Sequence, residues 1–287
     1  KKYKRHDFII VNGYNNMFFI FNFLFLLFSS NKKYIAIESD TQYSSPNNFI
    51  IRFVKWIYLL IIFSNKYILG FAGGNFVHKD LFRYYGMPEN RIFLMPMMVN
   101  NCRFISDDKV FPDRFTFLFV GRIVKHKGVE SLIKEFEKRF YNKEAVLKIV
   151  GSGVELQNLK KRYESDKIIF LGNKSGEDLV NEFHNASCFV CPSIFEPWGL
   201  VVNEALSSSL PVIVTKEVGA SHDLVKDRDT GFIVDNIEEF GDKMLVLFNN
   251  RNILYKFSSN ANELMKDYWN YDLYIKCLKN VINKLSV

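Results

Sequence analysis

The chain has 287 residues, 48% of them hydrophobic, and a formal net charge of +7. A chain of this length and apolar content can bury one large core or two moderate ones, and two is the expected number. The positive charge lies in the first third, because residues 1–100 carry 12 Lys and Arg against 5 Asp and Glu while the remaining residues balance. These cations lie among apolar segments with no nucleic-acid-binding motif, which excludes nucleic acid as a predicted partner.

The four cysteines exclude a disulfide framework and predict no metal site. Cys188 and Cys191 form a single C-x-x-C on an apolar strand. A zinc site needs a second pair and a redox motif needs a matching helix start, and the sequence has neither. We expect buried, unreactive thiols and a reducing cytoplasm. No cluster of aspartates of the metal-binding kind follows a strand, so neither a metal nor a cofactor is predicted.

The first hundred residues alternate short strands with two apolar helices. The predicted strands are Asp7–Val11, Tyr34–Ile37, Ile68–Phe71 and Arg91–Leu94. The predicted helices are Met17–Phe28, which Asn22 interrupts, and Phe49–Phe63, which contains Arg52 and Lys55. The first is too short to span a bilayer, which takes about 20 apolar residues. No small-residue cleavage site follows either helix, so neither is predicted to be a cleaved signal.

Two interpretations of these apolar helices stay open. In one they are core helices. In the other they form a basic, aromatic face that rests on an anionic membrane surface. The two interpretations are compatible if one side of each helix packs in the core and the other side contacts the membrane.

From Phe115 onward, apolar runs alternate with helical patterns. The predicted strands are Thr116–Gly121, Val146–Gly151, Lys167–Gly172, Cys188–Cys191 and Pro211–Thr215. The predicted helices are Gly128–Arg139, Val154–Ser165, Gly176–His184 and a helix after Gly199. Strands and helices that alternate at these lengths indicate an α/β fold with a doubly wound parallel sheet. Ligands of such sheets bind outside the carboxyl ends of the strands.

These elements predict two domains and a returning helix. Residues 1–98 form the first domain and residues 99–267 the second, with Met95–Asp108 as the linker. Residues 268–287 contain an aromatic-rich helix, Tyr268–Leu285, that is expected to pack back toward the first domain.

Glu196 and Glu204 lie eight residues apart in the sequence, and this pair is the most informative feature for predicting function. The apolar run Ala186–Ser193 predicts a short buried strand, and the run after it has helical spacing. Glu196 is therefore expected in a strand-to-helix loop, and Glu204 about two turns into the helix. The backbone N–H groups of Gly199 and Leu200 then lie near the helix start, where they attract an anion.

Such a site has one carboxylate in the loop, one on the helix and backbone amides between them. This arrangement suits a ligand with hydroxyl groups at both ends and phosphate in the middle, which is the shape of a nucleotide-sugar. The alternative is that both glutamates lie on a solvated face.

The loop that follows the first strand of the second domain is basic. Arg122 follows Gly121 at the end of this strand, and Lys127 opens the next helix. A guanidinium and an ammonium group at the carboxyl end of a strand can clamp a diphosphate. The alternative is a surface loop rich in Lys125 and His126.

Two glycine turns follow other strands. Gly151-Ser152-Gly153 is a lone G-x-G, which is weak evidence because its glycines can serve the tight turn only. Gly219-Ala220-Ser221 is a further loop whose backbone can approach a sugar or a phosphate.

The order of these motifs resembles the retaining family 4 glycosyltransferases of the two-domain GT-B class, which serve bacterial polysaccharide, lipopolysaccharide and capsule synthesis. The segments lie between Phe115 and Asp235 and read VGRIVKHKG, IVGSG, IFLG, PSIFEPWGLVVNEA, LPVIVTKEVGA and DTGFIVD. The resemblance implies two Rossmann-like domains, each with a doubly wound parallel sheet, the first one incomplete.

The resemblance also implies roles for the charged residues. Arg122 and Lys127 would bind the donor diphosphate and stabilise the charge of the leaving group. Glu196 would face the hydroxyl groups of the donor sugar, and Glu204 those of the ribose. Because cations and helix amides then neutralise the diphosphate, no divalent metal is required.

The other implied donor contacts come from backbone and loops. The amides of Gly199 and Leu200 would donate to the phosphate, and the segment Leu171–Lys174 would line the base pocket. The complete implied donor-binding set is Gly121, Arg122, Lys127, Gly151, Gly153, Leu171, Gly172, Asn173, Lys174, Glu196, Pro197, Trp198, Gly199, Leu200, Val201 and Glu204.

The implied activity is that of a hexosyltransferase with a UDP- or GDP-linked sugar as donor substrate. The acceptor would be a hydroxyl group of a glycan or of a polyprenyl-linked or other lipid-linked glycan. The basic, aromatic first third favours a cytoplasmic protein held peripherally on the inner face of the plasma membrane.

The chain departs from the family pattern in its first domain. It starts with Lys1-Lys2-Tyr3-Lys4, and the opening strand and glycine-rich loop of the family are not found, so we expect that the N-terminal part of the acceptor domain is missing. The segment Asn90–Asn100 resembles the hinge of these enzymes, but Met97-Met98 replaces their usual Asn-Gly.

A histidine of the family is replaced as well. In the family a histidine often stands where the strand Tyr34–Ile37 ends, and this chain has Glu38-Ser39-Asp40 there. Asp40 is therefore the candidate for a polar contact near the reacting centre. The implied catalytic set is Glu196, Arg122, Lys127 and Asp40. His78 is expected to be structural. Because of these departures, a donor-binding module or subunit that needs a partner stays open as the second hypothesis.

Overall fold

The computed structural model describes residues 8–30, 32–43, 48–106 and 109–285. The chain divides into two compact units, which we call unit 1 (Lys1–Met97 with Leu273–Val287) and unit 2 (Met98–Asp272). Parts of the sequence-based predictions fall outside the described residues, namely the basic start at residues 1–4, Asp7 of the first predicted strand and Asp108 of the predicted linker.

Strands and helices alternate along the described residues, which confirms the predicted α/β class. The strands are β1 Phe8–Asn12, β2 Tyr34–Ser39, β3 Ile68–Ala72, β4 Ile92–Leu94, β5 Phe115–Val120, β6 Ala145–Val150, β7 Ile168–Gly172, β8 Cys188–Cys191, β9 Val212–Thr215 and β10 Gly231–Val234. The helices are α1 Met17–Phe28, α2 Phe49–Ser64, α3 Val77–Tyr84, α4 Val129–Phe140, α5 Leu156–Tyr163, α6 Gly176–His184, α7 Leu200–Ser207, α8 Ser221–Leu224, α9 Ile237–Asn249, α10 Arg251–Glu263 and α11 Tyr271–Leu285.

The sheet of unit 1 is parallel and keeps its strands in chain order, β1-β2-β3-β4. Because successive strand residues point to opposite faces, Ile35 and Ile37 of β2 pack with α1, α2 and α3 on one face. Ala36 packs on the other face with Val281 of α11. Helices therefore cover both faces of this sheet.

The two apolar helices of unit 1 use one side for the core. Phe19 and Leu26 of α1 and Leu59 and Phe63 of α2 are buried in one cluster. Asn22, which interrupts the apolar run of α1, is buried too. The remaining sides of both helices expose apolar side chains. None of the helices in the described part of the chain has the length and apolar character needed to cross a bilayer.

The sheet of unit 2 has six parallel strands in the order β10-β9-β8-β5-β6-β7. The chain starts in the middle with β5, runs outward through β6 and β7, and then returns to add β8, β9 and β10 on the other side of β5. The strand order therefore reverses between β5 and β8, which pair through Phe117 with Cys188 and Leu118 with Phe189. Doubly wound sheets bind their ligands in the crevice at this kind of switch point.

Aromatic side chains fill the core of unit 2. Phe117 of β5 packs edge-on against Phe136 and Phe140 of α4, with ring centroids 6.2 and 5.1 Å away. All three rings are buried, and burial of each contributes about 1.5–3 kcal/mol. This packing holds the C-terminal half of α4 against the first half of β5.

Helices α3, α8, α9 and α10 and strand β10 are not among the predicted elements. Asn236 and Asn250 precede α9 and α10, and their side chains accept hydrogen bonds from the backbone N–H groups of Glu239 and Ile253. Asparagine is a favoured N-cap residue, so the sequence does mark the starts of both helices.

The cysteines behave as predicted where they are buried. Cys188 and Cys191 lie in β8, and burial raises the pKa of both thiols. Cys102 is exposed and Cys277 is half-buried. Within the described ranges, no group of three or more His, Cys, Asp or Glu side chains is placed to hold a metal ion.

Candidate functional site

The candidate site lies in unit 2 at the carboxyl ends of β5 and β8, on either side of the switch point. Four loops meet there: residues 121–128 after β5, 151–155 after β6, 192–199 after β8 and 216–220 after β9. Helices α4 and α7 begin at the ends of the β5 and β8 loops, so both helix starts lie at this edge of the sheet.

The loops after β5 and β6 are held together by backbone contacts. The N–H of Ile123 donates to the carbonyl of Ser152 at 2.8 Å, and a Cβ added to Gly151 would lie 1.8 Å from the carbonyl oxygen of Gly121. Gly151 also has a φ of +140°, in the region that favours glycine. The predicted G-x-G turn therefore lets the two loops approach each other closely.

The loops after β8 and β9 are joined in the same way. The N–H of Gly219 donates to the carbonyl of Glu196 at 3.0 Å, and the N–H of Ala220 donates to Trp198 at 2.8 Å. Gly199 takes a φ of +94°, and a Cβ there would lie 3.0 Å from Cγ of Glu196. This glycine lets α7 begin directly behind the glutamate.

Glu204 lies four residues into α7, just over one turn, and the prediction of two turns is wrong. The prediction counted from Glu196, whereas the helix begins only at Leu200. Glu204 therefore lies nearer than predicted to the helix start, whose first N–H groups lack intrahelical partners. Burial raises the pKa of the Glu204 carboxyl to about 7, and the positive charge of Arg103 opposes this rise.

Lys127 and Glu196 form an ion pair across the two central loops. Their side chains are 13% and 16% exposed, so the pair is largely shielded from water. A backbone hydrogen bond from Ile194 to the carbonyl of His126, 2.8 Å long, holds the loops in register. Burial, and then the positive charge of Arg122, lower the pKa of Lys127. A bound anion would therefore relieve the repulsion between these two cations.

Some predicted donor residues occupy different surroundings. Trp198 is 1% exposed, its Nε1 donates to Oδ1 of Asn203 at 2.7 Å, and its ring stacks on Trp269 with centroids 5.7 Å apart. The indole ring thus supports the loop from behind. Arg122, by contrast, is exposed at the end of β5.

The predicted base segment, Leu171–Lys174, follows β7 at the edge of the sheet. Gly172, the last residue of β7, has a φ of +67°. Its carbonyl accepts a hydrogen bond from the N–H of Gly151 at 2.8 Å. The segment is thereby tied to the glycine turn after β6. Asn173 is exposed and Lys174 is half-buried.

Arg103 is the residue that the sequence interpretation missed. A Cβ added to Gly176, at the start of α6, would lie 3.7 Å from Nη2 of Arg103, and the Arg103 charge also acts on Glu204. Arg103 therefore lies close to the start of α6, and its charge reaches Glu204. It falls in the predicted linker, and a lone basic residue there carries no local signal.

Asp40 and His78 belong to unit 1. Asp40 follows β2 at its carboxyl end, beside the N–H of Gly73, which donates to the carbonyl of Ser39 at 3.0 Å. Burial, and then the negative charge of Asp40, raise the pKa of Glu38. His78 is buried in α3.

This chain can be compared with known proteins. Residues 103–264, more than half of the chain, match the family described as "Glycosyl transferases group 1". The uncharacterized glycosyltransferase MJ1607 of Methanocaldococcus jannaschii is 35% identical over 126 residues, which cover 42% of this chain and 32% of that protein. The capsular polysaccharide biosynthesis glycosyltransferase CapM of Staphylococcus aureus is 29% identical over 186 residues, which cover 61% and 47%. The chain thus spans about a third to a half of the length of these relatives.

Solved structures extend the comparison to the fold. Anabaena Alr3699/HepE in complex with UDP superposes with a TM-score of 0.79 at 16% identity, covering 99% of this chain and 80% of that one. At this identity the likeness shows the fold alone, which is the GT-B class of two Rossmann-like domains with parallel sheets.

Proposed function

The chain belongs to the group 1 glycosyl transferase family, and we propose that it is a retaining hexosyltransferase of family 4 with its donor site at the switch point of unit 2. One observation carries the proposal. The structure brings the Lys127–Glu196 ion pair and the start of α7, with Glu204 one turn behind it, to the carboxyl ends of two strands at the point where their order reverses.

The diphosphate of a nucleotide-sugar fits the cationic part of this site. Lys127 and Arg122 supply one positive charge each, and the first N–H groups of α7 supply donors with the positive end of the helix dipole. When the diphosphate binds, its oxygens replace the carboxylate of Glu196 as the partner of Lys127. Glu196 is then released toward the sugar, where its oxygens can accept hydrogen bonds from hydroxyl groups.

The nucleoside part fits the remaining residues. Glu204 would accept hydrogen bonds from the ribose hydroxyl groups, and the segment Leu171–Lys174 would line the base pocket. Arg103 adds a positive charge near Glu204, which favours the ionised form of this carboxyl. The UDP in the Anabaena structure of the same fold makes UDP the first nucleotide to test, with GDP as the second.

The transfer step breaks the bond between the anomeric carbon and the diphosphate oxygen. Arg122, Lys127 and the amides of α7 would stabilise the negative charge that grows on the leaving diphosphate, so that no divalent metal is required. The acceptor oxygen would bond to the anomeric carbon on the same face of the oxocarbenium-like sugar, which retains the anomeric configuration, and the hydroxyl proton would pass to the departing diphosphate oxygen. Asp40 of unit 1 is proposed as a polar contact near the reacting centre.

The acceptor is proposed to be a hydroxyl group of a glycan or of a lipid-linked glycan. Similarity to a capsule biosynthesis glycosyltransferase supports a polysaccharide, and the basic, aromatic helices of unit 1 support an acceptor at a membrane surface. In this proposal the protein works on the cytoplasmic side of the plasma membrane.

The first test measures donor binding by thermal shift with UDP-, GDP- and ADP-sugars, with and without EDTA. We expect one nucleotide class to stabilise the chain, EDTA to leave that shift unchanged, and Glu204→Ala to abolish it. The matched control is Glu177→Ala, an exposed glutamate of α6 in the same unit.

The remaining outcomes separate the hypotheses. A shift that needs a divalent metal would contradict the metal-independent mechanism. Donor binding without hydrolysis or transfer in an assay that supplies lipid-linked acceptors would favour the donor-binding module. A folded chain that no nucleotide-sugar stabilises would overturn the site assignment.

A further inference from the structure

Helices α1 and α2 of unit 1 expose an unusual amount of apolar surface. They contain 28 residues, yet they carry half of the exposed large hydrophobic side chains in the described part of the chain. Phe28 is 87% exposed and Ile50 is 70% exposed. An apolar patch of this extent on one face of a protein marks a surface that something covers.

The core of unit 1 holds both helices on the same side of its sheet. Each connects two neighbouring parallel strands, and right-handed crossovers place such helices on one face. Their inner residues share one buried cluster, and the hydroxyl of Tyr58 donates to the carbonyl of Tyr14 at 2.6 Å. The outer sides of α1 and α2 therefore form one continuous surface, which we call the α1–α2 face.

The charges of this face have one sign. Neither helix contains an acidic residue. Arg52 of α2 is exposed among its apolar side chains, whereas Lys55 is half-buried with its Nζ 5.8 Å from the ring centroid of Tyr85. Lys32 follows α1 and Lys66 follows α2, and both are exposed. Aromatic and aliphatic side chains mixed with cations are typical of helices that lie in the interface of an anionic bilayer.

A second copy of this chain fits the face less well. A symmetric dimer would set this patch against a copy of itself, so the cations of one copy would face only apolar or basic side chains of the other. With no acidic residue on either helix, nothing in the patch would pair with these cations. An anionic lipid headgroup supplies the missing negative charge, and the acyl region accepts the phenylalanines.

We propose that the α1–α2 face docks the protein on an anionic lipid bilayer, with both helices lying in the headgroup region parallel to the membrane plane. This inference goes beyond the proposed sugar transfer, because it rests on unit 1 and needs no donor. It assigns the membrane contact that a lipid-linked acceptor would require to the α1–α2 face.

The wild-type chain offers a direct optical test. Its three tryptophans are Trp56 on α2, which is 40% exposed, and the buried Trp198 and Trp269 of unit 2. Phosphatidylcholine vesicles with 30% phosphatidylglycerol should shift the tryptophan emission to the blue, and brominated lipids should quench the Trp56 component. Vesicles of phosphatidylcholine only should give a much weaker response.

Flotation with the same vesicles tests the assignment by mutation. Phe28→Asp/Ile50→Asp should lower the partition coefficient at least about tenfold, since it removes apolar area and adds negative charge. The matched control Val110→Asp/Tyr141→Asp adds the same charge at two exposed apolar positions of unit 2 and should bind as the wild type does. Circular dichroism checks that both variants fold.

Three results would overturn the proposal. The first is that the two double variants float with anionic vesicles to the same extent. The second is that the wild-type chain does not bind anionic vesicles. The third is a concentration-dependent dimer in sedimentation velocity that Phe28→Asp/Ile50→Asp dissociates, since the face would then join two copies. Loss of nucleotide-sugar binding would not affect this proposal, because the vesicle assays contain no donor.

Discussion

The two parallel sheets of this chain differ in strand order. Unit 1 adds its four strands in chain order, whereas unit 2 starts in the middle and reverses between β5 and β8. The reversal leaves a crevice in which loops from strands distant in sequence meet, and the candidate donor residues lie there. In unit 1 the distinctive surface lies instead on the outer side of two helices. The comparison shows that strand order decides where a sheet can build a site.

The largest expected effect concerns the close loop contact of unit 2. Gly151→Ala would place a Cβ 1.8 Å from the carbonyl oxygen of Gly121 in a φ that favours glycine. We expect a loss of about 3 kcal/mol or more in the free energy of unfolding, measured by urea denaturation. The matched change in unit 1 is Gly13→Ala after β1, where the nearest side-chain atom would lie 3.5 Å away. It should cost about 1 kcal/mol, and equal losses would contradict the difference in loop packing.

The second prediction concerns the anion-binding part of the site. Lys127→Ala should weaken UDP binding by roughly 10- to 100-fold, since a charge-assisted contact is worth about 1.5–3 kcal/mol. Isothermal titration calorimetry measures this, with Lys125→Ala, an exposed lysine of the same loop, as the control. If both variants lose affinity equally, the effect is one of net charge and the assignment of Lys127 fails.

The third prediction uses the raised pKa of Glu204. A folded-state pKa of about 7 exceeds the value of a glutamate in the unfolded chain, so the folded state holds its proton to higher pH. The stabilising contribution is complete below about pH 4 and is lost as pH rises through 7. Glu204→Gln should therefore be more stable than the wild type at pH 8, by about 1–2 kcal/mol.

The difference between wild type and Glu204→Gln should vanish near pH 4, where both side chains are neutral. Urea denaturation at the two pH values measures it, with the exposed Glu177→Gln as the control. Glu38 of unit 1 also has a raised pKa, so Glu38→Gln should show the same direction. A Glu204→Gln variant that is less stable than the wild type at pH 8 would contradict the burial of this carboxyl.

The smallest expected effect compares helix starts in the two units. Asn16 caps α1 by accepting from the N–H of Phe19, and Asn236 caps α9 in the same way through Glu239. Replacing either by Ala should cost about 1 kcal/mol of unfolding free energy. A much smaller loss at Asn16 than at Asn236 would mean that the packing of α1 decides its start without the cap.

Much of this architecture could be predicted from the sequence. Apolar runs that end in glycine turns located the strands, and Met17–Phe28 and Gly176–His184 have their predicted bounds. Helices α9 and α10 were not predicted, although the capping residues Asn236 and Asn250 mark their starts in the sequence. Helix α7 begins at Leu200, directly after Gly199 as predicted, and only the number of turns between the helix start and Glu204 was wrong.

The contacts of the site could not be predicted in the same way. The pair between Lys127 and Glu196 joins loops 69 residues apart in the chain, and only the pairing of β5 with β8 brings them together. Arg103 reaches the start of α6 from a segment without regular spacing. Spacing along one element says nothing about such contacts, because they depend on strand order.

The most direct test of the donor site is a crystal structure of the full chain with UDP. We expect the diphosphate between the N-terminus of α7 and the side chains of Arg122 and Lys127, with Lys127 released from Glu196 and the ribose at Glu204. Density for the diphosphate at the carboxyl ends of β1–β3 in unit 1, with the Lys127–Glu196 pair intact, would contradict the account.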